Sequence, residues 1–245
     1  MILPKFLVWL FAAARAWDIR SAPFHPRIHN FGNTGLGGCI HAFLAPAATR
    51  LIDQIAYDGE NVRRNLAHRW ARDYGEDAQV LEVGCGSGTT TRELANAGFS
   101  KLTAIDTSDE MIRSARRRTS SKVAFKVMNG VDWQESVDLC ILTFVLHELP
   151  LNAQWSMLSA LTQHAVEIVV VDIDPLYNPS TAMRSGEPFV DAYKQNANKF
   201  FRILAARKGF YLSRRSIMQG HVVEWRLRSK AATANLISAK GRSKA

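Results

Sequence analysis

The stretch that decides the fold is Gln79-Val80-Leu81-Glu82-Val83-Gly84-Cys85-Gly86-Ser87-Gly88. Its first five residues are mostly apolar and predict a buried parallel strand. The three alternating glycines then predict a tight turn, because a backbone without Cβ atoms can approach a ligand closely. Residues 89–98 have the pattern of a helix that ends at a glycine. Strand, glycine turn and helix in this order are typical of the nucleoside- and phosphate-binding corner of a doubly wound α/β sheet.

The spacing of the glycines narrows the class of ligand. A dinucleotide-binding turn has the pattern G-x-G-x-x-G, which requires glycine where this chain has Thr89. The pattern here is E-x-G-x-G-x-G and begins at Glu82. Asp106 ends a second predicted strand and lies 22 residues after Gly84. That is the usual distance for a carboxylate that accepts hydrogen bonds from ribose hydroxyls.

With these two motifs, the chain resembles the class I S-adenosylmethionine-dependent methyltransferases over residues 78–228. Glu82 to Gly88 resembles the first motif of that family, and Asp106 resembles the acid at the end of its second strand. The resemblance implies a Rossmann-like, seven-stranded and mostly parallel α/β sheet, with S-adenosyl-L-methionine as cofactor. The alternatives are a nucleotide-binding sheet with another ligand, or a non-catalytic scaffold that keeps the fold.

The pattern along the chain predicts four regions. They are an apolar N-terminal segment at 1–20, a loop and helical cap at 21–75, the α/β domain at 76–228, and a basic, disordered tail at 229–245. Within the domain, apolar runs predict strands at 122–128, 137–145 and 167–172, a long helix at 187–208, and a final strand pair at 210–216 and 221–227. In the cap, apolar residues from Ile40 to Ile55 predict a helix that Pro46 breaks or kinks.

The N-terminal segment has two interpretations. Its apolar run, Phe6 to Ala14, is too short to span a membrane and has the length of a signal-peptide core. No acid occurs from Ile19 to Ile52, which favours import into a plastid or mitochondrion. The alternative is an amphipathic helix that packs on the domain or contacts a membrane surface peripherally. Three cysteines without disulfide or metal spacing predict a reducing compartment, which is the cytoplasm if no import occurs.

The distribution of charge argues against nucleic acid as a partner. The net charge of +9 is concentrated at the ends, with +4 in residues 1–52 and +6 in residues 225–245. Residues 53–224 carry a net charge of −1, so no basic stripe crosses the domain. Arg116 to Arg118 is one internal cluster, placed at a predicted helix end. A small-molecule methyl acceptor is therefore favoured, and an RNA or protein acceptor is the alternative.

The resemblance implies which residues contact the cofactor. They lie in the glycine turn, around the second-strand acid, and after the third and fourth strands. These residues are Glu82, Gly84, Cys85, Gly86, Gly88, Asp106, Thr107, Met111, Asn129, Gly130, Val131 and Phe144. The family usually has an acid after its third strand, where this chain has Gly130 with Asn129 and Asp132 nearby.

The end of the fourth strand, Thr143 to Pro150, resembles the small-molecule branches of the family. It lacks the [N/D]-P-P-[Y/F] turn that holds the exocyclic amine of a flipped base. His147 lies in this segment, at the carboxyl edge of the predicted sheet. Histidine titrates near neutrality, which suits a general base, but structural histidines share this property. We therefore expect His147 to be either a general base or a structural histidine.

After the fifth strand, Asp172 and Asp174 predict a polar rim. Two such carboxylates also suit Mg²⁺, but the neighbouring strand lacks a matching acid apart from Glu148, and no metal site is predicted. A long insertion follows and predicts a substrate lid. Its candidate substrate contacts are Tyr177, Arg184, which suits a carboxylate, and Glu187, whose alternative role is at a helix N-terminus. From the cap, His25, His29 and His41 are candidates to line the same pocket.

Overall fold

The computed structural model describes residues 34–234. Within these residues two helices precede the sheet: α1 spans Gly35–Ala56 and α2 spans Val62–Tyr74. Helix α1 therefore begins before Ile40, the first apolar residue of the predicted cap helix. The N-terminal segment with its targeting and membrane-surface alternatives, His25, His29, and residues 235–245 of the predicted disordered tail lie outside the described residues and stay predictions.

A seven-stranded sheet with helices on both faces follows, which confirms the predicted fold class. The strands are β1 Gln79–Val83, β2 Lys101–Asp106, β3 Ala124–Val127, β4 Val137–Thr143, β5 Ala165–Ile173, β6 Phe210–Met218 and β7 Val222–Ser229. The later helices are α3 Thr89–Asn96, α4 Asp109–Arg118, α5 Leu151–Leu161, α6 Thr181–Gly186 and α7 Val190–Lys208, with 3₁₀ turns at Gly130–Asp132 and Leu146–Glu148.

The strand order places the carboxyl ends of five parallel strands side by side. The order is β3-β2-β1-β4-β5-β7-β6, and only β7 runs antiparallel to its neighbours on both sides. Glu82 of β1 is in register with Ala104 of β2 and Ile141 of β4. The chain reverses its winding between β1 and β4, so a crevice opens at their carboxyl ends. The candidate site lies in this crevice.

Two element boundaries differ from the predicted ones for local reasons. Strand β4 ends at Thr143 because Phe144 adopts a positive φ of 57° and the chain turns into the 3₁₀ segment. The long helix begins at Val190 because a separate short helix, α6, precedes it, with Ser180 accepting a hydrogen bond from the Met183 amide as its N-cap. The region from 174 to 189 is thus a partly helical lid segment at the carboxyl edge of β5.

Helix α1 runs through Pro46 without a break, although proline cannot donate the hydrogen bond that the Ala42 carbonyl would accept. Side chains of α4 satisfy this carbonyl instead: the Ser114 hydroxyl lies 3.2 Å away and the Arg118 guanidinium 3.3 Å. The Gly35 amide also donates to Glu110 of α4 at 2.9 Å. Arg118 of the basic cluster is therefore used to hold α1 on the domain.

The outer side of α1 is apolar and uncovered. Only Gly38 and Ala42 of this helix are buried, whereas Phe43 is 74% exposed and Ile55 is 75% exposed. The predicted cap helix exists, but the apolar residues that predicted it face mainly outward in the described part of the chain. The length of α1 and its mean hydropathy of 1.2 also suit a membrane-crossing helix, a property that core helices and signal sequences share.

Buried charges hold helix α2 against the sheet. Glu224 of β7 is 2% exposed, pairs with Arg69 and accepts a hydrogen bond from the Trp70 indole at 3.3 Å. Arg226 of the same strand bridges Glu224 at 2.7 Å and Asp73 at 3.1 Å. These contacts fix the position of α2, whose first turn reaches the crevice.

The Ser114 hydroxyl donates to the Ala42 carbonyl, which Pro46 leaves without its helical partner. Substitutions of Ser114 and Pro46 should therefore have coupled effects on the free energy of unfolding. We expect Ser114→Ala to lower the free energy of unfolding by about 1 kcal/mol, because it removes a buried donor. In a Pro46→Ala background the cost should fall by at least half, since the new amide can bond the Ala42 carbonyl. Urea denaturation of the four proteins of this cycle measures the coupling.

Ser159→Ala is the matched control, because the Ser159 hydroxyl has no hydrogen-bond partner among the described residues. Equal costs of Ser114→Ala in both backgrounds would contradict this account of α1.

Candidate active site

Two adjoining cavities lie in the crevice. The first, here the turn cavity, has a volume of about 260 Å³ and follows the glycine turn after β1. The second, here the lid cavity, has a volume of about 630 Å³ and lies between α1 and the lid segment. Both cavities are lined by residues of α1, of α2 and of the segment that follows β4. These residues are His41, Ala45, Thr49, Arg63, Phe144 and Glu148.

Eight of the twelve predicted cofactor contacts line the turn cavity. They are Glu82, Gly84, Cys85, Gly86, Asp106, Thr107, Met111 and Phe144. The structure thus brings together residues from β1, β2, α4 and the end of β4. Burial raises the pKa of the Cys85 thiol, which keeps this residue a neutral part of the wall.

The three glycines of the turn have different roles. All adopt positive φ, but a Cβ on Gly86 would meet nothing within 4 Å, because this residue faces the open cavity. A Cβ on Gly84 would lie 2.6 Å from the Val145 side chain. A Cβ on Gly88 would lie 2.9 Å from the Cβ of Ala115 on α4, and Gly88 does not line the cavity. We therefore assign Gly88 to helix packing, which differs from the predicted cofactor contact.

Glu82 lines the turn cavity and has one carboxylate oxygen without a partner among the described residues. The residue is 1% exposed, and its Oε2 atom has no hydrogen-bond partner within residues 34–234. Burial raises the pKa of this carboxyl to about 8; the Thr91 hydroxyl opposes the shift, the Asp106 charge adds to it, and the Arg63 charge opposes it. A buried acceptor of this kind suits a cationic donor such as the ammonium group of the predicted cofactor.

Asp106 is held by the backbone around it. Its carboxylate accepts hydrogen bonds from the Gly86 amide at 2.8 Å and from the Ser108 amide at 2.9 Å. Burial raises its pKa to about 6, and the Ser108 and Gly86 amides oppose that shift. The carboxylate is thus fixed at the cavity wall beside Thr107 and Met111, where the resemblance places the ribose of the cofactor. These residues fit S-adenosylmethionine.

The three predicted contacts after β3 do not line the turn cavity. A Cβ on Gly130 would lie 2.8 Å from Val83 and 3.1 Å from the Met157 sulfur, so this glycine allows close packing. The Asn129 side chain accepts a hydrogen bond from the Val131 amide at 3.2 Å and caps the 3₁₀ turn. The structure gives these residues packing and capping roles, and their predicted cofactor contacts stay predictions.

Arg63 of α2 lines both cavities and was not among the predicted residues. Its guanidinium lies 4.7 Å from the centroid of the Phe144 ring and 3.5 Å from the Asp53 carboxylate. Phe144 itself holds a positive φ at the end of β4, a backbone strain that often marks a functional position. No local sequence signal identifies Arg63, because its role depends on where α2 crosses the sheet.

His147 lies buried between two carboxylates beside the lid cavity. Its Nδ1 is 2.5 Å from Asp172 Oδ1, and its Nε2 is 3.2 Å from Glu187 Oε2. Burial lowers its pKa, but the Asp172 charge and hydrogen bond and the Glu187 carboxylate outweigh this and raise the pKa well above its ordinary value. Asp172 is fully buried and also accepts from the Leu146 and Ile173 amides. The imidazole is therefore held as a cation, with a hydrogen bond from Nδ1 to Asp172 and the Glu187 carboxylate close to Nε2.

The lid residues divide into two groups. Tyr177 and Glu187 line the lid cavity as the predicted substrate contacts would, and the Tyr177 ring lies 5.4 Å from the His221 ring. Arg184 does not line it; its guanidinium binds Asp191 at 3.0 Å and the Pro179 carbonyl within the lid segment itself. The structure thus gives Arg184 a role in holding the lid segment, and its predicted contact with a substrate carboxylate stays a prediction.

The predicted polar rim of Asp172 and Asp174 is divided between two ion pairs. Asp174 pairs with Arg214 at 2.9 Å, whereas Asp172 pairs with His147. No cluster of three or more His, Cys, Asp or Glu side chains suited to a metal ion occurs among the residues that the structure describes.

Comparison with known proteins identifies the domain. The family described as "Methyltransferase domain" matches residues 80–167, from β1 to the start of β5. No curated protein matches the chain in sequence. Among solved structures, magnesium protoporphyrin IX methyltransferase (ChlM) from Synechocystis PCC 6803, with bound S-adenosylhomocysteine (SAH), aligns with a TM-score of 0.53 and 17% identity, covering 69% of this chain and 81% of that one.

Two further structures agree with this match. The N-methyltransferase NodS from Bradyrhizobium japonicum WM9 aligns with a TM-score of 0.56 and 19% identity, covering 72% of this chain and 98% of that one. The plantazolicin methyltransferase BpumL in complex with SAH aligns with a TM-score of 0.55 and 15% identity, covering 78% of this chain and 94% of that one. At these identities the likeness establishes the fold.

The raised pKa of Glu82 predicts proton release on ligand binding. At pH 7 a carboxyl of pKa about 8 is mostly protonated, and an ammonium group placed against it favours the ionised form. We therefore expect binding of SAH to release most of one proton from the parent protein. Titration calorimetry in two buffers of different ionisation enthalpy measures this number.

Glu82→Gln should abolish the release while leaving the fold intact, because the amide has the same shape and cannot ionise. Before ligand binds, the raised pKa also means that the contribution of Glu82 to stability is lost as the pH rises through about 8. Binding enthalpies that do not depend on the buffer would contradict the placement of Glu82 against the ammonium group.

Proposed function

We propose that this chain, which belongs to the class I S-adenosylmethionine-dependent methyltransferases, transfers a methyl group to a lipophilic small molecule. The observation that carries the proposal is the lid cavity beside the cofactor residues. Its volume of about 630 Å³ lies in the range of small-molecule sites. Its wall is largely apolar and contains Leu51, Ile52, Ile55, Ile173 and Met183.

The charge of the domain supports a small acceptor over RNA. Two arginines of the basic cluster at the end of α4 bind backbone carbonyls of the protein itself. Arg116 donates to the Phe125 carbonyl at 2.6 Å, and Arg118 donates to the Ala42 carbonyl. The matched structures include a porphyrin methyltransferase and a plantazolicin methyltransferase, whose acceptors are far smaller than a folded macromolecule. The acceptor of this chain is by this reasoning a compound with an apolar ring or chain.

In this proposal the protein contributes mainly by positioning the cofactor and the acceptor and by excluding water from the site. When bound, the cofactor supplies a methyl group on a sulfonium, so the sulfur leaves as a neutral thioether. Glu82 and Asp106 hold the ligand in the turn cavity, and Phe144 lines both that cavity and the lid cavity. Helix α1 and the lid segment cover the acceptor, which keeps the reacting groups aligned and dry.

We propose that Glu187 is the general base that takes the proton of the methyl acceptor. His147 was predicted as a candidate base, but an imidazole whose pKa is raised well above the ordinary value is already protonated at neutral pH. Its cation lies 3.2 Å from the Glu187 carboxylate, which lines the lid cavity. Glu187 then takes the proton of a hydroxyl or acidic C–H acceptor as the new bond to the methyl carbon forms. His147 and Asp172 position it.

The proposed function is tested by labelling. A cell extract incubated with the protein and methyl-labelled S-adenosylmethionine should yield a labelled product that partitions into organic solvent and is identified by mass spectrometry. Gly86→Val is the matched control, because its side chain projects into the turn cavity and should block the cofactor. Label in RNA or protein, and none in the organic phase, would contradict the proposal.

The proton assignment predicts distinct effects of two substitutions. With the acceptor found by labelling, Glu187→Gln should lower kcat by about 100-fold, with cofactor affinity unchanged. His147→Gln should also lower kcat, but by less than Glu187→Gln, because it removes the ion pair that positions the Glu187 carboxylate and leaves the carboxylate itself in place.

Glu76→Gln, which changes an exposed carboxylate that lines neither cavity, should have little effect on kcat or on cofactor affinity. Parental turnover of Glu187→Gln would contradict the assignment, and it is the result expected of an acceptor that loses no proton.

A further inference from the structure

The exposed apolar residues of α1 lie on one side of the helix. Leu36 at its start is 80% exposed, Phe43 74% and Ile55 at its end 75%. The residues of this side, here the apolar face, recur at helical spacing: Leu36, Ile40, Phe43, Leu44, Leu51 and Ile55. A continuous exposed apolar surface marks a site of interaction, because contact with water along it is unfavourable.

Basic residues border the apolar face. Residues 35–52 contain no acid, and Arg50 among them is exposed. Helix α4, to which α1 is attached, ends in the basic cluster Arg116 to Arg118. The acid of α4 beside the start of α1, Glu110, lies 3.6 Å from Arg113 and is paired with it. Cations next to an apolar helix face are typical of helices that lie on anionic lipid.

The inner side of α1 is held on the domain. Gly38 and Ala42 are buried, and the Ala42 carbonyl accepts hydrogen bonds from Ser114 and Arg118. The helix therefore keeps one side on protein along its length and turns the opposite side outward. This is the geometry of a helix that lies in the plane of a membrane surface, and it does not suit a helix that crosses the bilayer.

We propose that the apolar face of α1 binds the surface of an anionic phospholipid bilayer. Leu51 and Ile55 belong to this face and also line the lid cavity, so the cavity wall continues onto the docking surface. A lipophilic acceptor dissolved in the bilayer then passes into the lid cavity without crossing water. This entry route rests on the proposed function, whereas the docking itself does not.

A bilayer suits the apolar face better than a protein partner. A second copy of the chain seated on Leu51 and Ile55 would cover the wall of the lid cavity, whereas a bilayer is itself a source of lipophilic acceptors. Residues 1–33, which precede α1 in the sequence, contain four Lys or Arg and one acid. They bring further positive charge to the start of α1, and that charge adds to the attraction of anionic lipid.

The test uses the thiol of Cys39, which is exposed on α1, whereas Cys85 and Cys140 are buried. The full-length protein is labelled there with the environment-sensitive fluorophore NBD. It is then mixed with vesicles of phosphatidylcholine that contain about one third phosphatidylglycerol. We expect the emission to shift to the blue and to be quenched by brominated acyl chains. Vesicles of phosphatidylcholine alone should require a higher lipid concentration for the same response.

Two controls are matched to this experiment. Ser136→Cys in a Cys39→Ser background places the label on an exposed residue before β4, at the edge of the sheet opposite the cavities, and it should not respond. Phe43→Asn changes a residue that lines neither cavity and should weaken vesicle binding at least about fivefold. Tyr211→Asn removes an exposed aromatic ring from β6 and should leave vesicle binding unchanged. Both variants should keep the parental affinity for SAH.

A Cys39 label that responds to neither vesicle would overturn the docking, even if the protein sediments with lipid through residues 1–20. Emission that is equally blue-shifted without lipid would also overturn it. A dependence of that emission on protein concentration would place a second copy on the face, and its absence would place residues 1–33 there. Equal responses to both vesicles would overturn the anionic surface as the partner. A protein that responds to vesicles but does not bind SAH would instead overturn the proposed function alone.

Discussion

The hydrogen bond from the Gly86 amide to the Asp106 carboxylate is the contact on which the site depends. The turn after β1 contains three residues at positive φ, so it cannot be stabilised as a helix or strand. Its amides bond instead to β2: Gly84 and Cys85 to the Ile105 carbonyl, and Gly86 to Asp106. These bonds tie two strands into one corner and leave Glu82 buried beneath it. Asp106, which the sequence predicts to bind the ribose of the cofactor, thus also stabilises the turn.

Several ionisable side chains are buried around this corner, and they differ in how completely other residues satisfy their hydrogen bonds. Asp172 is fully satisfied by backbone amides and His147, and Glu224 is satisfied by arginine and tryptophan side chains. Glu82 and Arg63 are not, and both line the turn cavity. Unsatisfied buried charges lower the stability of the ligand-free protein, and a bound ligand that completes their bonding restores it. We interpret this contrast as the difference between charges that hold the fold and charges that hold a ligand.

The acceptor side is built from elements outside the central sheet. Helix α1 reaches over both cavities while its outer side, with Phe43 and Ile55, remains exposed. It is attached through α4, partly by the carbonyl that Pro46 leaves free. The lid segment closes the other side and brings Glu187 to His147. Cofactor binding and acceptor binding therefore depend on different parts of the chain.

The sequence by itself predicted the strands, the glycine turn and Asp106, because these follow from short-range patterns of apolar residues and glycines. The fold and the cofactor class followed from the resemblance that these motifs carry. The sequence also located the lid and the apolar helix before the sheet. It could not assign Gly88 and Gly130 to packing, Arg184 to the lid, or Arg63 to the cavity. Those roles depend on which residues meet across the crevice, with α2 brought there by the buried Glu224 on the distant strand β7. Long-range packing sets such contacts, and only the tertiary structure decided them.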